Sequence, residues 1–194
     1  NDGYSIFPEA QMKSNINLME LLVTKYKTIN PKMIFAHADW DPSRKCDPNP
    51  FFNWKFAASA SKLSGIEHDF GVYPATEVKV GDEIVINGTT ADKYAIEGIE
   101  NKELLEIQNL LAEIGYNVFS NEKANSGFYD NQTKNCVKAF KNHYRNELVT
   151  KHLMDQYHEI RKYESYVDHD PFMITVSTSD IDAMGEVANL LGEF

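Results

Sequence analysis

The 194-residue chain is 42% hydrophobic and 25% charged, a composition typical of a folded globular protein and not of a disordered tail or a fibrous repeat. Its 19 basic and 29 acidic residues give a formal net charge of −10, which argues against sequence-independent binding to nucleic acids, since these are polyanions. The sequence has no apolar run of about 18 residues to span a bilayer and no basic-then-apolar signal-peptide profile after its first residue, Asn1.

A helix, a strand and a loop are predicted in the first quarter of the chain. Apolar residues recur at steps of three and four over residues 8–26, which predicts an amphipathic helix that ends before Asn30-Pro31. The buried face of this helix should consist of Met12, Ile16, Met19, Leu22 and Tyr26. The apolar run of residues 33–36 is typical of a buried strand, and it would place His37 at the carboxyl end, where ligands bind in open α/β sheets. The prolines of residues 38–54 predict a long, rigid loop.

The middle of the chain is predicted to hold a short helix and a connector. Residues 55–63 favour a helix that ends at Gly65. Every second residue is a valine before Gly81-Asp82 and an isoleucine after it, and this period of two predicts a small hairpin over residues 78–90. We therefore interpret residues 74–100 as a connector that carries the hairpin.

Three short helices predicted in the C-terminal half would form a small bundle. The first covers residues 104–114 and stops at Gly115, as a helix with a glycine C-cap does. The second covers residues 130–144, and the third covers residues 180–191. Residues 148–170, rich in charged and aromatic side chains, predict a further helix across the surface.

A histidine and an aspartate in the predicted loop are candidate metal ligands. His37 and Asp47 are ten residues apart, and the proline-stiffened loop could fold back so that both side chains meet one ion. Zinc is the natural candidate, because a catalytic zinc takes about three protein ligands from His, Asp, Glu or Cys and leaves one position for water. Lys45 lies two residues from Asp47 and could stabilise an oxyanion on the same side of the loop. The alternative is that His37 and Asp47 form a hydrogen-bonded structural pair.

The residues around this pair form a longer motif. Its fixed positions are His37, Asp39, Arg44, Lys45, Asp47, Pro48, Pro50, Phe52 and Trp54. This pattern resembles the zinc-dependent type-2 family of N-acetylmuramoyl-L-alanine amidases, in which a strand ending in Gly-His-Ser-Asp is followed by Arg-Lys-x-Asp-Pro-Gly-Pro and Phe-x-Trp. The resemblance implies that His37 and Asp47 are zinc ligands and that Lys45 stabilises the transition state. Arg44 and Trp40 are candidate substrate-binding residues, with a solvated surface position as the alternative for Arg44.

The chain departs from the family pattern at several points. Asn49 stands in place of the usual glycine and should tolerate a left-handed turn. Cys46 should point away from the metal by strand alternation and act in packing. The family's first zinc histidine and its catalytic glutamate precede the first predicted helix, so this sequence, which begins at Asn1, is expected to lack both. The other histidines are expected to be surface or cap residues: His68, His143, His152, His158 and His169.

A second motif lies in the C-terminal half. A helix ending in Gly115-Tyr116 is followed by Gly-x-Tyr-Asp-x-x-Thr at residues 127–133 and by Val-x-x-Phe at residues 137–140. This pattern resembles the three-helix peptidoglycan-binding module. Its matching residues are expected to cap and pack helices, and residues 147–173 would be an insertion relative to the module.

The two resemblances together imply a fold and a function. The fold would be the C-terminal part of an α/β amidase domain over residues 1–73, a connector over residues 74–100, and an all-α three-helix peptidoglycan-binding-like domain over residues 101–194. The implied activity is zinc-dependent hydrolysis of the amide between N-acetylmuramic acid and L-alanine in peptidoglycan or muropeptides. The binding module favours the bacterial envelope, in the periplasm, over the cytoplasm. The alternative is a non-catalytic peptidoglycan-binding protein, or a fragment that needs another chain to complete its zinc site, and the oligomeric state is left open.

Overall fold

The computed structural model describes residues 5–60, 70–77, 84–87, 102–118, 127, 129–157 and 170–192. In chain order the elements are α1 (Glu9–Lys25), a 3-10 turn (Pro31–Met33), α2 (His37–Trp40), α3 (Trp54–Ala60), β1 (Ile84–Asn87), α4 (Lys102–Ile114), α5 (Asn131–Tyr144), α6 (Asn146–Gln156), α7 (Pro171–Ile174), β2 (Thr175–Ser177) and α8 (Thr178–Gly192). Within these ranges, no helix has both the length and the apolar character needed to cross a bilayer.

The predicted first helix is confirmed as α1, with one change in its buried face. Met12 and Ile16 are buried as expected. Val23, rather than Leu22, continues this face, because it lies two helical turns after Ile16 and points the same way. Leu22 is 38% exposed, and Tyr26 follows the end of the helix with 47% of its surface exposed.

The predicted strand over residues 33–36 is wrong. Pro31 starts a 3-10 turn instead, and the Asn30 side chain caps this turn by accepting a hydrogen bond from the Lys32 amide at 3.0 Å. The residues that follow the turn are extended, but none of the strands in the described ranges pairs with them. Met33 and Phe35 are 49% and 38% exposed, so the apolar run is not a buried central strand. His37 therefore begins a short helix and does not end a strand.

The three predicted C-terminal helices are confirmed as α4, α5 and α8. After α4, the Tyr116 amide donates to the Leu111 carbonyl at 2.9 Å and Gly115 has a φ of +111°, the pattern of a Schellman C-cap. The Asp130 side chain caps α5 by accepting from the Thr133 amide at 2.8 Å.

These helices supply most of the largest hydrophobic core. Its fully buried members include Leu104, Ile107 and Leu111 of α4, Val137 and Phe140 of α5, and Ala183, Met184 and Val187 of α8. The only described strands, β1 and β2, form an antiparallel pair in which Ile84 lies opposite Ser177 and Asn87 opposite Thr175.

Two other predictions fall partly on described residues. The strand of residues 84–87 exists but pairs with β2; the first arm and the turn of the predicted hairpin, residues 78–83, lie outside the described residues. The helix predicted over residues 148–170 is present as α6, and the residues from 158 to 169 also lie outside. α6 does not lie simply across the surface, because Val149 and Leu153 are fully buried against Phe51 and Met173.

Candidate functional site

The loop between α2 and α3 carries the predicted site, and backbone hydrogen bonds close it on itself. The Ala38 amide donates to the Asp47 carbonyl at 3.0 Å. The Arg44 and Lys45 amides both donate to the Asp41 carbonyl, at 3.1 and 2.9 Å. The first and last parts of the motif are therefore neighbours in space.

The predicted metal ligands His37 and Asp47 are in direct contact. His37 Nδ1 lies 2.7 Å from Asp47 Oδ2, and the two side chains are 68% and 60% exposed. The hydrogen bond with His37 is the main reason why the pKa of Asp47 lies below its ordinary value; slight burial opposes this effect. Both residues line an open cavity of about 490 Å³ between α1 and the loop. An imidazole and an ionised carboxylate thus meet at an accessible surface.

This pair matches zinc in the chemistry of its donor atoms. Zinc in proteins is commonly held by imidazole nitrogen and carboxylate oxygen, and a catalytic zinc has about three protein ligands. In the part of the chain that the structure describes, no group of three or more His, Cys, Asp or Glu side chains could hold a metal ion. The described residues therefore supply two of the expected ligands, and zinc binding stays a prediction.

Lys45 is two residues before the proposed ligand Asp47 and is half-buried in the loop. Its positive charge is a minor cause of the lowered pKa of Asp47, after the hydrogen bond of His37, and it also helps to lower the pKa of Asp41. The role of Lys45 at an oxyanion stays a prediction.

The predicted substrate-binding residues Arg44 and Trp40 are both on the surface. The Arg44 side chain is 68% exposed, and its Nε donates to Asp41 at 2.8 Å. Trp40 is 84% exposed and lines a second cavity, of about 210 Å³, together with Tyr116 and Tyr144 of the helical part. Contact of either residue with a substrate stays a prediction.

Two expectations about the loop are wrong. Cys46 is exposed and does not pack, because the loop is built from turns and strand alternation does not apply to it. Asn49 does not take a left-handed backbone, since no described residue other than glycine has a positive φ. Its buried side chain instead accepts from the Phe51 amide at 2.9 Å and donates to the Ser5 carbonyl at 3.1 Å.

A buried carboxylate two residues after His37 was not assigned a role from the sequence. Asp39, in α2, is 7% exposed. One of its oxygens accepts from the Ala36 amide at 2.8 Å and from His143 Nδ1 at 2.7 Å, and the other accepts from the Tyr116 hydroxyl at 2.6 Å. Burial alone would raise the pKa of Asp39, but the attraction of His143 and the three hydrogen bonds outweigh it and lower that pKa. Burial and the Asp39 charge raise the pKa of Tyr116, so its hydroxyl remains the donor.

The expectation that His143 is a surface or cap residue is wrong. Its side chain is 3% exposed. The imidazole is stacked between the Trp54 ring, at a centroid distance of 3.7 Å, and the Tyr144 ring, at 4.0 Å. Among the other histidines, His152 is partly buried and bonds to Asp170 at 2.8 Å. His68, His158 and His169 lie outside the described residues. The available signal for the Asp39 cluster was the match of Asp39 to the amidase motif; its partner His143 lies 104 residues away.

Comparison with known proteins tests the family assignment. No family model matches the chain. A curated protein, the N-acetylmuramoyl-L-alanine amidase AmiD of Escherichia coli, is 28% identical over 145 residues, which are 75% of this chain and 44% of AmiD. The chain is a homologue of this amidase. The resemblance to the N-acetylmuramoyl-L-alanine amidases is thereby confirmed.

A solved structure of AmiD also resembles this chain. It is the complex of the E. coli enzyme with the substrate anhydro-N-acetylmuramic acid-L-Ala-D-gamma-Glu-L-Lys. The match has a TM-score of 0.57 at 19% sequence identity and covers 97% of this chain and 55% of the AmiD chain. It shows a shared fold. The chain spans about half the length of AmiD in both comparisons.

Proposed function

We propose that the chain acts in zinc-dependent hydrolysis of the amide bond between N-acetylmuramic acid and L-alanine, in peptidoglycan or in muropeptides. The observation that carries this proposal is the exposed pair of His37 and Asp47, with 2.7 Å between Nδ1 and Oδ2. Lys45 is two residues before Asp47 in the same loop. Homology to AmiD supports the reaction class. The substrate class points to the bacterial envelope, in the periplasm rather than the cytoplasm.

His37 and Asp47 would hold the zinc ion in this proposal. A bound zinc supplies a Lewis acid for the amide carbonyl and lowers the pKa of its water. The third ligand and the general base would come from residues beyond the described ones or from another chain. Asp47, like any exposed aspartate, is ionised at neutral pH and can bind a cation, and the hydrogen bond of His37 lowers its pKa further.

The chain's other loop residues would act on the substrate. Lys45 would place its ammonium group beside the oxygen on which negative charge develops as the carbonyl is attacked. Arg44 would leave its ion pair with Asp41 and bind a carboxylate of the stem peptide instead. The exposed ion pair with Asp41 is of a kind that contributes little to stability, so breaking it costs little. Trp40 would offer its exposed ring as an apolar contact.

Zinc titration tests the ligand pair. We expect the purified chain to bind about one zinc ion, and His37→Ala and Asp47→Asn each to weaken this binding strongly because each removes a donor atom. Asp41→Asn is the matched control, since it neutralises a carboxylate of the same loop that is paired with Arg44 instead. Equal zinc affinity in all four proteins would refute the assignment of the pair.

The second candidate is a peptidoglycan-binding protein without its own activity, or a fragment whose zinc site another chain completes. It is favoured by the finding that the described residues offer two donors and no third. Release of the stem peptide from an anhydro-muropeptide by the zinc-loaded chain would support hydrolysis. Stoichiometric zinc without any release would support the second candidate instead.

A further inference from the structure

We infer that His143 and Tyr116 of the helical part are positioning residues for the proposed zinc ligand His37, and that they act through the carboxylate of Asp39. The role of His37 as a zinc ligand rests on the proposed function. The hydrogen bonds that connect these residues are features of the structure and do not depend on that function.

The Asp39 carboxylate holds the turn on which His37 lies. His37 is the first residue of the one-turn helix α2 and Asp39 is the third. Asp39 Oδ2 accepts from the amide of Ala36, the residue directly before His37, at 2.8 Å. The side chain thus spans the turn from inside and fixes the backbone from which the His37 imidazole projects. The next amide after His37, that of Ala38, donates to the Asp47 carbonyl at 3.0 Å, so the same turn also sets the separation of the two proposed ligands.

The helical part fixes the position of the carboxylate itself. Tyr116 lies just after the C-cap of α4 and His143 lies in the last turn of α5. They donate to opposite oxygens of Asp39, at 2.6 and 2.7 Å, so the carboxylate can neither rotate nor shift without losing a bond. Stacking of the His143 ring between Trp54 and Tyr144 fixes the plane of that ring, and the hydrogen bond to Asp39 fixes which ring nitrogen faces the carboxylate.

Loss of one donor should be transmitted to His37 because the carboxylate is buried. An ionised group that is 7% exposed cannot replace a missing donor with bulk water without movement. Movement of Asp39 to reach water would also move the one-turn helix α2, because Asp39 and His37 both belong to it. The groups that orient metal ligands typically contribute about 10-fold to 100-fold in metal affinity.

A pair of tyrosine variants tests the inference. Tyr116→Phe removes the hydroxyl that bonds to Asp39. Tyr129→Phe is the matched control, because Tyr129 is also buried and its hydroxyl also makes a 2.6 Å hydrogen bond, but to the Ile174 carbonyl. The measurements are the affinity for zinc alone, by competition with a chelator, and hydrogen exchange at the Ala36 and Ala38 amides. We expect Tyr116→Phe to weaken zinc binding about 10-fold and to speed exchange at both amides, while Tyr129→Phe changes neither relative to the rest of the protein.

His143 offers a conservative rescue. His143→Asn keeps a donor near the position of Nδ1, whereas His143→Leu removes it. We expect the asparagine variant to retain more zinc affinity and more protection of Ala36 than the leucine variant. If the role of His143 were purely structural, the loss of zinc affinity and of Ala36 protection in each variant would be proportional to its loss of folding stability.

The outcomes separate this inference from the proposed function. If His37→Ala binds zinc as tightly as the wild type, the proposed function fails. Hydrogen exchange at the Ala36 and Ala38 amides then decides by itself whether Tyr116 and His143 position the turn of His37. If Tyr116→Phe leaves both amides and the zinc affinity unchanged, or if Tyr129→Phe alters them equally, the inference is overturned.

Discussion

Lys45 is the loop residue whose removal should separate catalysis from metal binding. It is not one of the proposed ligands, but its charge already acts on the Asp47 carboxylate. We expect Lys45→Ala to lower kcat of the zinc-loaded protein by about 100-fold to 1,000-fold, the usual effect of removing one group that stabilises an oxyanion. Zinc affinity should change little. The measurements are the rate of stem-peptide release and the zinc dissociation constant.

The matched control for this variant is Lys13→Ala. Lys13 is an exposed lysine of α1 that pairs with Glu9, one helical turn earlier. Removal of the Lys13 side chain should alter neither kcat nor the affinity for zinc. An unchanged kcat in Lys45→Ala, or an equal loss in both variants, would contradict the role of Lys45.

The residue-scale contacts divide into those that the sequence could predict and those that it could not. The meeting of His37 and Asp47 was predictable, because both belong to one motif and ten residues of loop limit their separation. The Asp39–His143 bond joins residues 104 positions apart, and no local pattern marks it. Histidine suits the surface, a cap or a buried pair equally well, so only the packing of α5 against the loop decides between them.

At the scale of single elements, Gly115 and Gly185 predict opposite responses to the same substitution. Gly115 has a φ of +111°, a backbone conformation that an L side chain rarely adopts. Gly115→Ala should therefore lower the free energy of unfolding by about 1–2 kcal/mol. Gly185 lies inside α8 with open space around the position of a Cβ, so Gly185→Ala should raise it by about 0.5–1 kcal/mol. Urea unfolding of the two variants measures both changes, and a loss of similar size in both would contradict the C-cap at Gly115.

The long periodic helices were predictable as elements, and so was the strand β1, but the pairing of the strands was not. α4 and α5 carry an apolar residue at every third or fourth position and have a glycine or an aspartate at one end, so local sequence suffices. A run of four apolar residues fits a strand or irregular backbone equally well. Here Asn30 and Pro31 start a 3-10 turn that takes in Met33, and residues 34–36 after it are not part of a strand. β1 forms a ladder with β2, and four described helices, α4 to α7, lie between the two strands in the chain. Strand pairing at this distance depends on the packed fold.

At the scale of the whole molecule, buried contacts join the residues predicted to form two domains. Asn146 of α6 donates to the Pro50 carbonyl at 2.5 Å, and Trp54 stacks on His143. Phe51 packs with α6 in a small hydrophobic cluster. The domain limits at residues 73 and 101 stay a prediction, and these contacts show why residues of the two parts should stabilise each other.

Glu186 links the connector to the last helix and predicts a pH dependence of stability. Its carboxylate, on α8, accepts from the amides of Ala75 at 2.8 Å and Thr76 at 3.1 Å, and also from the Thr76 hydroxyl. Partial burial would raise the pKa of Glu186, but these bonds and the attraction of Arg145 lower it overall. Since the pKa is lower in the folded chain, the stabilisation is complete above the ordinary glutamate value of 4.5 and is lost as the pH falls through the lowered pKa.

The variant Glu186→Gln should therefore be less stable than the wild type at about pH 7, and the difference should be smaller at about pH 3.5, because protonation of the Glu186 carboxylate in acid removes the charge that glutamine lacks. Urea unfolding at the two pH values measures it. Glu113→Gln is the matched control: it makes the same change of charge at an exposed position of α4 and should give a smaller difference at both pH values. A Glu186→Gln difference that persists undiminished in acid would mean that the carboxylate charge does not hold residues 75–76 on α8. The link between the connector and the helical part would then depend on Arg145, whose guanidinium donates to the Thr76 carbonyl at 2.7 Å.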